Sequence, residues 1–310
     1  MPNYRIGAKP PTRCSTRLLR AWQFVRILSR RGREGPAAFD AFDPWEVWEC
    51  PEFFPLGDRH VLLYSTAGKS FWQTGELDEK TMTFHPGQAG ILDYGSYYAA
   101  KTQLDQAGNR IVWGWIQEAR PLAEYKAAGW AGLMSLPRVL TVAADGRLRI
   151  GLAPEVALLR GRRAALSLSA DEDDNRRQLD ALRVAGCCGE IRCEARRTAE
   201  PFAMRLSASP SGELPCLSIE YNPLHSDPVS VEGRPLPLTL RAVERLEFEI
   251  HVDGSVLELL VNREIAWTKR FYVSGDVAPD LHLQWNGKTA PLASLEAWAM
   301  NPISADRLTT

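Results

Sequence analysis

The sequence predicts an all-β chain, and three observations predict it. Strand-length runs rich in aromatic and β-branched residues recur along most of the 310 residues, turn residues punctuate them, and sustained helical periodicity is nearly absent. Many strands at roughly ten-residue spacing mean layered or radial sheets rather than a helical bundle.

From Met1 to about Ala41 no period of two is sustained. The one helical pattern there is Leu18, Leu19, Trp22, Val25, Ile27 and Leu28, studded with arginine and broken by Arg30-Arg31-Gly32-Arg33. Residues 1 to 35 carry nine Lys or Arg against one acid, Glu34, leaving 28 basic and 37 acidic residues beyond, so a leader of about +8 precedes a body of about −9. A basic amphipathic stretch can meet phosphates or a membrane surface, but a solvated face or tail is commoner. We read residues 1–42 as a basic, poorly ordered leader.

From about Asp43 the texture changes. Phe53 to Asp58, His60 to Ser65, Tyr97 to Ala100 and Arg110 to Trp115 read as antiparallel hairpin strands. Asp105-Gln106-Ala107-Gly108-Asn109 and Ala144-Asp145-Gly146-Arg147 are turn chemistry between such strands. These runs define a first β domain over 43–152. Glu155 near the start and Arg160, Arg162 and Arg163 at the end of an apolar stretch predict one linker helix over 153–164. After the acidic stretch Asp171 to Asp174 strands return, most plainly in Leu246 to Val261, whose alternation is broken by Asp253-Gly254. Residues 165–303 read as a β-sandwich.

The formal net charge is −1 and no run approaches eighteen apolar residues, so neither a membrane span nor a globally basic nucleic-acid binder is supported. The six cysteines show no CxxC pair and no framework spacing; no cofactor and no metal site are expected. Reduced thiols and no secretory signal pattern give a cytoplasmic expectation, although the arginine-rich, acid-poor leader has something of a transit peptide's composition.

Trp45-Glu46-Val47-Trp48-Glu49-Cys50-Pro51 places a carboxylate between an indole and a thiol. Partial desolvation there would raise its pKa toward that of a general acid; a surface glutamate at a strand end is the other reading. Asp93 opens a turn with Tyr94-Gly95, and Trp113, Trp115 and Trp130 supply aromatic faces that suit a sugar or simply fill a core.

Trp48-Glu49-Cys50-Pro51 followed by Glu52-Phe53-Phe54-Pro55-Leu56 resembles the acid/base motif of glycoside hydrolase family 32, the invertases, fructanases and sucrose-6-phosphate hydrolases. Asp93-Tyr94-Gly95-Ser96-Tyr97-Tyr98-Ala99-Ala100-Lys101-Thr102, Arg110 through Trp115, Gly129-Trp130-Ala131-Gly132 through Leu136-Pro137-Arg138, and the hairpin His251 to Asn262 are similar to further blocks of that family, in order. The resemblance implies an incomplete five-bladed β-propeller of about three blades followed by a C-terminal β-sandwich. It implies cleavage of a terminal β-fructofuranosyl bond in sucrose or a fructose-containing oligosaccharide, with retention, by an aspartate nucleophile and a glutamate acid/base. Position by position, Glu49 would be the acid/base and Cys50 the neighbour that helps keep its carboxyl raised; Asp93 would bind the sugar or orient Glu49, and Tyr97 and Trp115 would line the pocket.

The family's W-M-N-D-P-N-G and R-D-P blocks, which hold the nucleophile and the transition-state stabiliser, have no counterpart in this sequence; Asp40 and Asp43 are the aspartates upstream of Glu49. The expectation is the C-terminal two-thirds of such an enzyme, with a displaced or wrongly framed leader, little or no catalysis, and an open hydrophobic wall prone to self-association. A non-catalytic sugar-binding module is the alternative.

Overall fold

A computed structural model describes residues 24, 27, 28, 47–208, 215–238, 245–273 and 279–304. Leu18, Leu19, Trp22 and Val25 of the leader's helical pattern lie outside the described residues, as do Trp45 and Glu46. Strands β1 (Glu49–Leu56), β2 (Arg59–Thr66), β3 (Lys69–Asp78) and β4 (Thr83–Ile91) form an antiparallel sheet in that order. Next come β5 (Tyr98–Leu104), β6 (Arg110–Ile116), helix α1 (Leu122–Ala128), β7 (Leu133–Met134), β8 (Arg138–Val142) and β9 (Leu148–Leu152). They make a second sheet ordered β5-β6-β8-β9, with β7 paired to β6. Both are blade-like, so the described residues hold two of the about three expected blades.

The expected linker helix over 153–164 is a correction. The helical part is a 3-10 turn, Pro154–Leu159, and residues 160–165 are strand β10 (Arg160–Ala165). Pro154 favours the start of a turn, but the run of six basic and small residues that follows pairs its backbone with a sheet edge instead. Beyond 165, where the sequence showed almost no helical pattern, one α-helix occurs among the described residues. Helix α2 (Glu172–Ala181) is capped by Asp171, whose carboxylate accepts from the amides of Asp173 and Asp174. Then come β11 (Arg183–Val184), β12 (Cys188–Ala195), β13 (Phe202–Ser207), β14 (Pro215–Tyr221), β15 (Val229–Val231) and β16 (Arg234–Pro235). The last five are β17 (Leu246–Asp253), β18 (Val256–Val261), β19 (Ile265–Arg270), β20 (Leu281–Asn286) and β21 (Leu292–Met300). Their two six-stranded sheets, β10-β21-β12-β17-β18-β19 and β11-β20-β13-β14-β15-β16, close over a core that includes Ile191, Met204, Phe248, Leu259 and Trp285. The β17–β18 hairpin turns where the sequence placed it, with Asp253 opposite Val256.

Alternation sets the packing of the blades. In β2, Val61 and Leu63 face a cluster with Val112, Leu140 and Ile150 of the second sheet, and Leu260 and Ala266 of the sandwich join the same cluster. Blades and sandwich therefore share one apolar seam. Leu62 and Tyr64 face the other way, with Phe71 and Phe84. This face forms a second apolar wall, and it is closed: all four side chains are buried, and Leu28 packs on them.

A polar lock sits in the seam. Arg138 donates to Glu258 and to Thr268 of the sandwich and, through Nη1, to Asp93 at 2.8 Å. Thr268 returns two bonds to Asp93, from its amide at 2.9 Å and its hydroxyl at 2.6 Å. Gly95 completes the approach: a Cβ there would lie 1.8 Å from the Thr268 carbonyl oxygen, so only glycine lets the two backbones meet.

Candidate functional site

Two bulges build the candidate site. The β1–β2 register slips between Glu49 and Glu52, and the residue after Glu49, Cys50, has φ 48°. The β5–β6 register slips between Tyr98 and Lys101, and the residue after Tyr98, Ala99, has φ 53°. Neither is glycine, so each left-handed residue costs on the order of 1 kcal/mol. Bulges re-aim the side chains beside them. Here they aim Glu49 and Tyr98 at each other: the Tyr98 hydroxyl donates to Glu49 Oε2 at 2.6 Å, from one sheet to the other. Trp115 stands opposite Tyr98 in the β5–β6 ladder and is 44% exposed. Glu49, Tyr98 and Trp115 thus form a carboxylate, a hydroxyl and an indole on one open surface.

The structure corrects several of the expected site residues. Glu49 is exposed rather than desolvated, because the bulge turns it off the sheet face while Trp48 stacks on Tyr64 at 3.9 Å on the wall. Cys50 is half-buried with a free thiol. Asp93 does not reach a sugar pocket. It is fully buried and accepts from the Gly95 amide as well as from Arg138 and Thr268, so it is part of the lock between the domains. Tyr97 also lines no pocket: it is fully buried with its ring under the Arg138 guanidinium at 4.6 Å. Trp115, expected to line the pocket, is at the surface. Tyr98 was missed. Neighbouring strand residues point to opposite faces, so only one of Tyr97 and Tyr98 could turn inward, and that alternation was the available signal.

A second knot borders Trp115. Glu118 accepts from Arg120 Nη2 at 2.8 Å, from the Gly132 amide at 3.3 Å and from the Tyr272 hydroxyl at 2.5 Å. Hydrogen bonds from Arg120 above all, then from Tyr272 and two amides, hold its carboxyl well below the usual carboxylate range against the opposing effect of burial. The Arg120 guanidinium lies 4.0 Å from the Trp130 ring centre, and Arg270 lies 5.2 Å from it.

Elsewhere, a cleft of about 530 Å³ opens between the second blade and the sandwich, lined in part by Thr141, Arg160, Glu190, Arg192 and His251. Glu190, Glu249 and His251 present ligand atoms within 4.8 Å of one another, the one such group found among the described residues. The two carboxylates already accept from Arg160 and Arg192, which leaves poor ligands for a cation. Burial pushes the thiols of Cys187 and Cys216 up to about 11, which keeps both protonated at neutral pH.

With this geometry in hand, comparison with known proteins identifies two matching family models. Residues 15–150 match the glycosyl hydrolases family 32 N-terminal domain, and residues 155–299 match the glycosyl hydrolases family 32 C terminal. A fructan 1-exohydrolase of Hordeum vulgare is 34% identical over 123 residues, covering 32% of this chain and 20% of the relative. An insoluble β-fructofuranosidase, isoenzyme 7 of Oryza sativa subsp. indica, is 30% identical over 190 residues, covering 52% of this chain and 31% of the relative. The chain therefore spans between a fifth and a third of these relatives' length. Among solved structures, fructan 1-exohydrolase IIa of Cichorium intybus in complex with 1-kestose superposes with a TM-score of 0.64 at 19% identity, covering 84% of this chain and 62% of that one. A β-fructofuranosidase of Bombyx mori in complex with sucrose gives 0.61 at 19% identity, covering 90% and 57%. At that identity the likeness carries the fold: propeller blades followed by a sandwich.

Proposed function

The chain belongs to glycosyl hydrolase family 32, and on that premise we propose that it recognises terminal β-fructofuranosyl units of sucrose or a fructan, with Glu49 as the acid/base of a retaining double displacement. The observation that supports this most is the Tyr98–Glu49 hydrogen bond, which fixes one exposed carboxylate beside an exposed indole. In such a reaction one carboxyl group protonates the leaving oxygen while a second attacks the anomeric carbon. No counterpart of the family's nucleophile block occurs in these 310 residues, so the same proposal includes impaired catalysis. Each tenfold loss of rate is about 1.4 kcal/mol of barrier, and loss of a covalent nucleophile removes several such factors. Cytoplasmic residence is proposed on the free thiols of Cys50, Cys187, Cys193 and Cys216.

The experiment is an assay of fructose release from sucrose and inulin by residues 1–310 beside Glu49→Gln. Equal, background rates are expected; a rate clearly above the variant's would overturn the impairment. A non-catalytic sugar-binding role is the second reading, supported by the exposed Trp115 ring. Calorimetry with sucrose and fructans tests recognition, and binding retained in Glu49→Gln without turnover would select that reading.

A further inference from the structure

Arg270, in β19 of the sandwich, is a buried cation without a counter-charge. It is 6% exposed, and Nη2 donates to the Tyr272 hydroxyl oxygen at 2.5 Å. Nε and Nη1 are buried with no acceptor, and none of the described carboxylates forms an ion pair with this guanidinium.

The acids around it are already committed. Glu118 accepts from Arg120 on both oxygens and from Tyr272 and Gly132 besides. Thr268 shares a face of β19 with Arg270, and Glu258 stands opposite Thr268 in the β18–β19 ladder. Glu258 accepts from the Leu136 amide and from Arg138, and Asp93 accepts from Gly95, Arg138 and Thr268. A second guanidinium crowds the same place. Arg120 lies 4.0 Å from the Trp130 ring centre and 5.3 Å from that of Tyr272, and Arg270 lies 5.2 and 5.1 Å from the same two centres. Two cations thus flank one pair of rings, and the carboxylate bonded within the group is that of Glu118.

Aromatic faces attract a cation but leave its N–H groups without acceptors. An arginine cannot shed its proton to escape burial, so donors left empty on it are more unfavourable than those of a neutral group. Water would fill the donors and leave the charge; an anion answers both. The small opening left over Arg270 suits a single-atom ion better than a carboxylate or a phosphate.

We propose that Arg270 holds a halide ion, chloride in ordinary media, as a counter-ion at the junction of blade and sandwich. Arg270 belongs to the sandwich, whereas Arg120 and Trp130 follow β6 of the second blade, so occupancy strengthens the contact between the two domains. This site does not depend on the fructoside reading.

The test is thermal unfolding of the full chain in sodium chloride and in sodium gluconate at the same pH and ionic strength. Chloride should raise Tm along a saturating curve, by about 5 °C at about a hundredfold excess over its Kd, because it binds the folded state. Arg270→Met should unfold at one temperature in both salts. Crystals of the unaltered chain grown in sodium bromide give a reading that needs no variant: an anomalous bromine peak should lie beside the Arg270 guanidinium. Equal Tm values in the two salts, a chloride increment that survives Arg270→Met, or ordered water without anomalous signal at Arg270 would each overturn the site. Should Arg270→Met fail to fold, the salt comparison and the bromine peak on the unaltered chain decide the matter.

Discussion

Arg138 and Glu258 lie 120 positions apart and in different domains, yet the guanidinium of one donates to the carboxylate of the other at 2.5 Å with almost no solvent around either. Burial pushes the arginine's pKa down, and Glu258 and then Asp93 outweigh it, so the cation is retained. One cation between two buried carboxylates is a setting in which removing a single partner is far worse than removing all.

Arg138→Met should therefore cost about 3–5 kcal/mol, because Asp93 and Glu258 stay buried without a counter-charge. The triple variant Arg138→Met, Asp93→Asn, Glu258→Gln should recover part of that loss. Urea unfolding of the two variants measures the difference, and a triple variant no more stable than the single one would contradict it.

Gly95→Ala should destabilise by about 3 kcal/mol, since the added carbon meets backbone that cannot turn aside. Gly57→Ala is the contrast: that position is also glycine, at φ +62°, but nothing lies within 4 Å of a Cβ there, and about 1 kcal/mol is expected. Thermal unfolding of both variants separates close approach from backbone conformation.

The pH response follows from Glu118. Its folded pKa is depressed below the ordinary 4.5, so the folded state is favoured by the ionised form. That stabilisation is complete above about pH 5 and is lost as pH falls below 4.5 toward the folded value. Tm should drop more steeply between pH 5 and 3 in the unaltered chain than in Glu118→Gln; parallel curves would show that the knot contributes nothing.

Leu28→Asp should reopen the wall of Leu62, Tyr64, Phe71 and Phe84. Exposed apolar surface of this kind drives association. Sedimentation velocity should show a shift to larger species than the unaltered chain gives at the same concentration, and an unchanged profile would mean that Leu28 does not seal this face.

Much of this architecture was legible in the residues. The alternation from Leu246 to Val261 and the turn residues around Gly108 and Gly146 specify local hairpins, whose partners are close in sequence. Glu49 was legible as a candidate because its neighbours carry an unusual set of groups. Asp93 and Tyr97 were misplaced because an aspartate opening a turn before aromatics reads alike whether it will meet a sugar or Thr268, 175 residues later. Helix α2 was missed because only Leu179 and Asn175 are buried on it, too few for a periodic stripe, although Asp171 and the three acids that follow carried the cap signal. The two bulges have no sequence signature, since neither Cys50 nor Ala99 is glycine.

The amide of Asn301 donates to the carbonyl of Leu159 at 2.7 Å, so the sandwich is entered and left at one point. It is also held along the seam, where the amides of Tyr94, Ser96 and Ile150 donate to the carbonyls of Ala266, Thr268 and Arg263 beside the Arg138 bolt. Loosening the bolt alone therefore leaves the angle between the domains, and with it the spacing of Trp115 and Tyr272, governed by those backbone bonds.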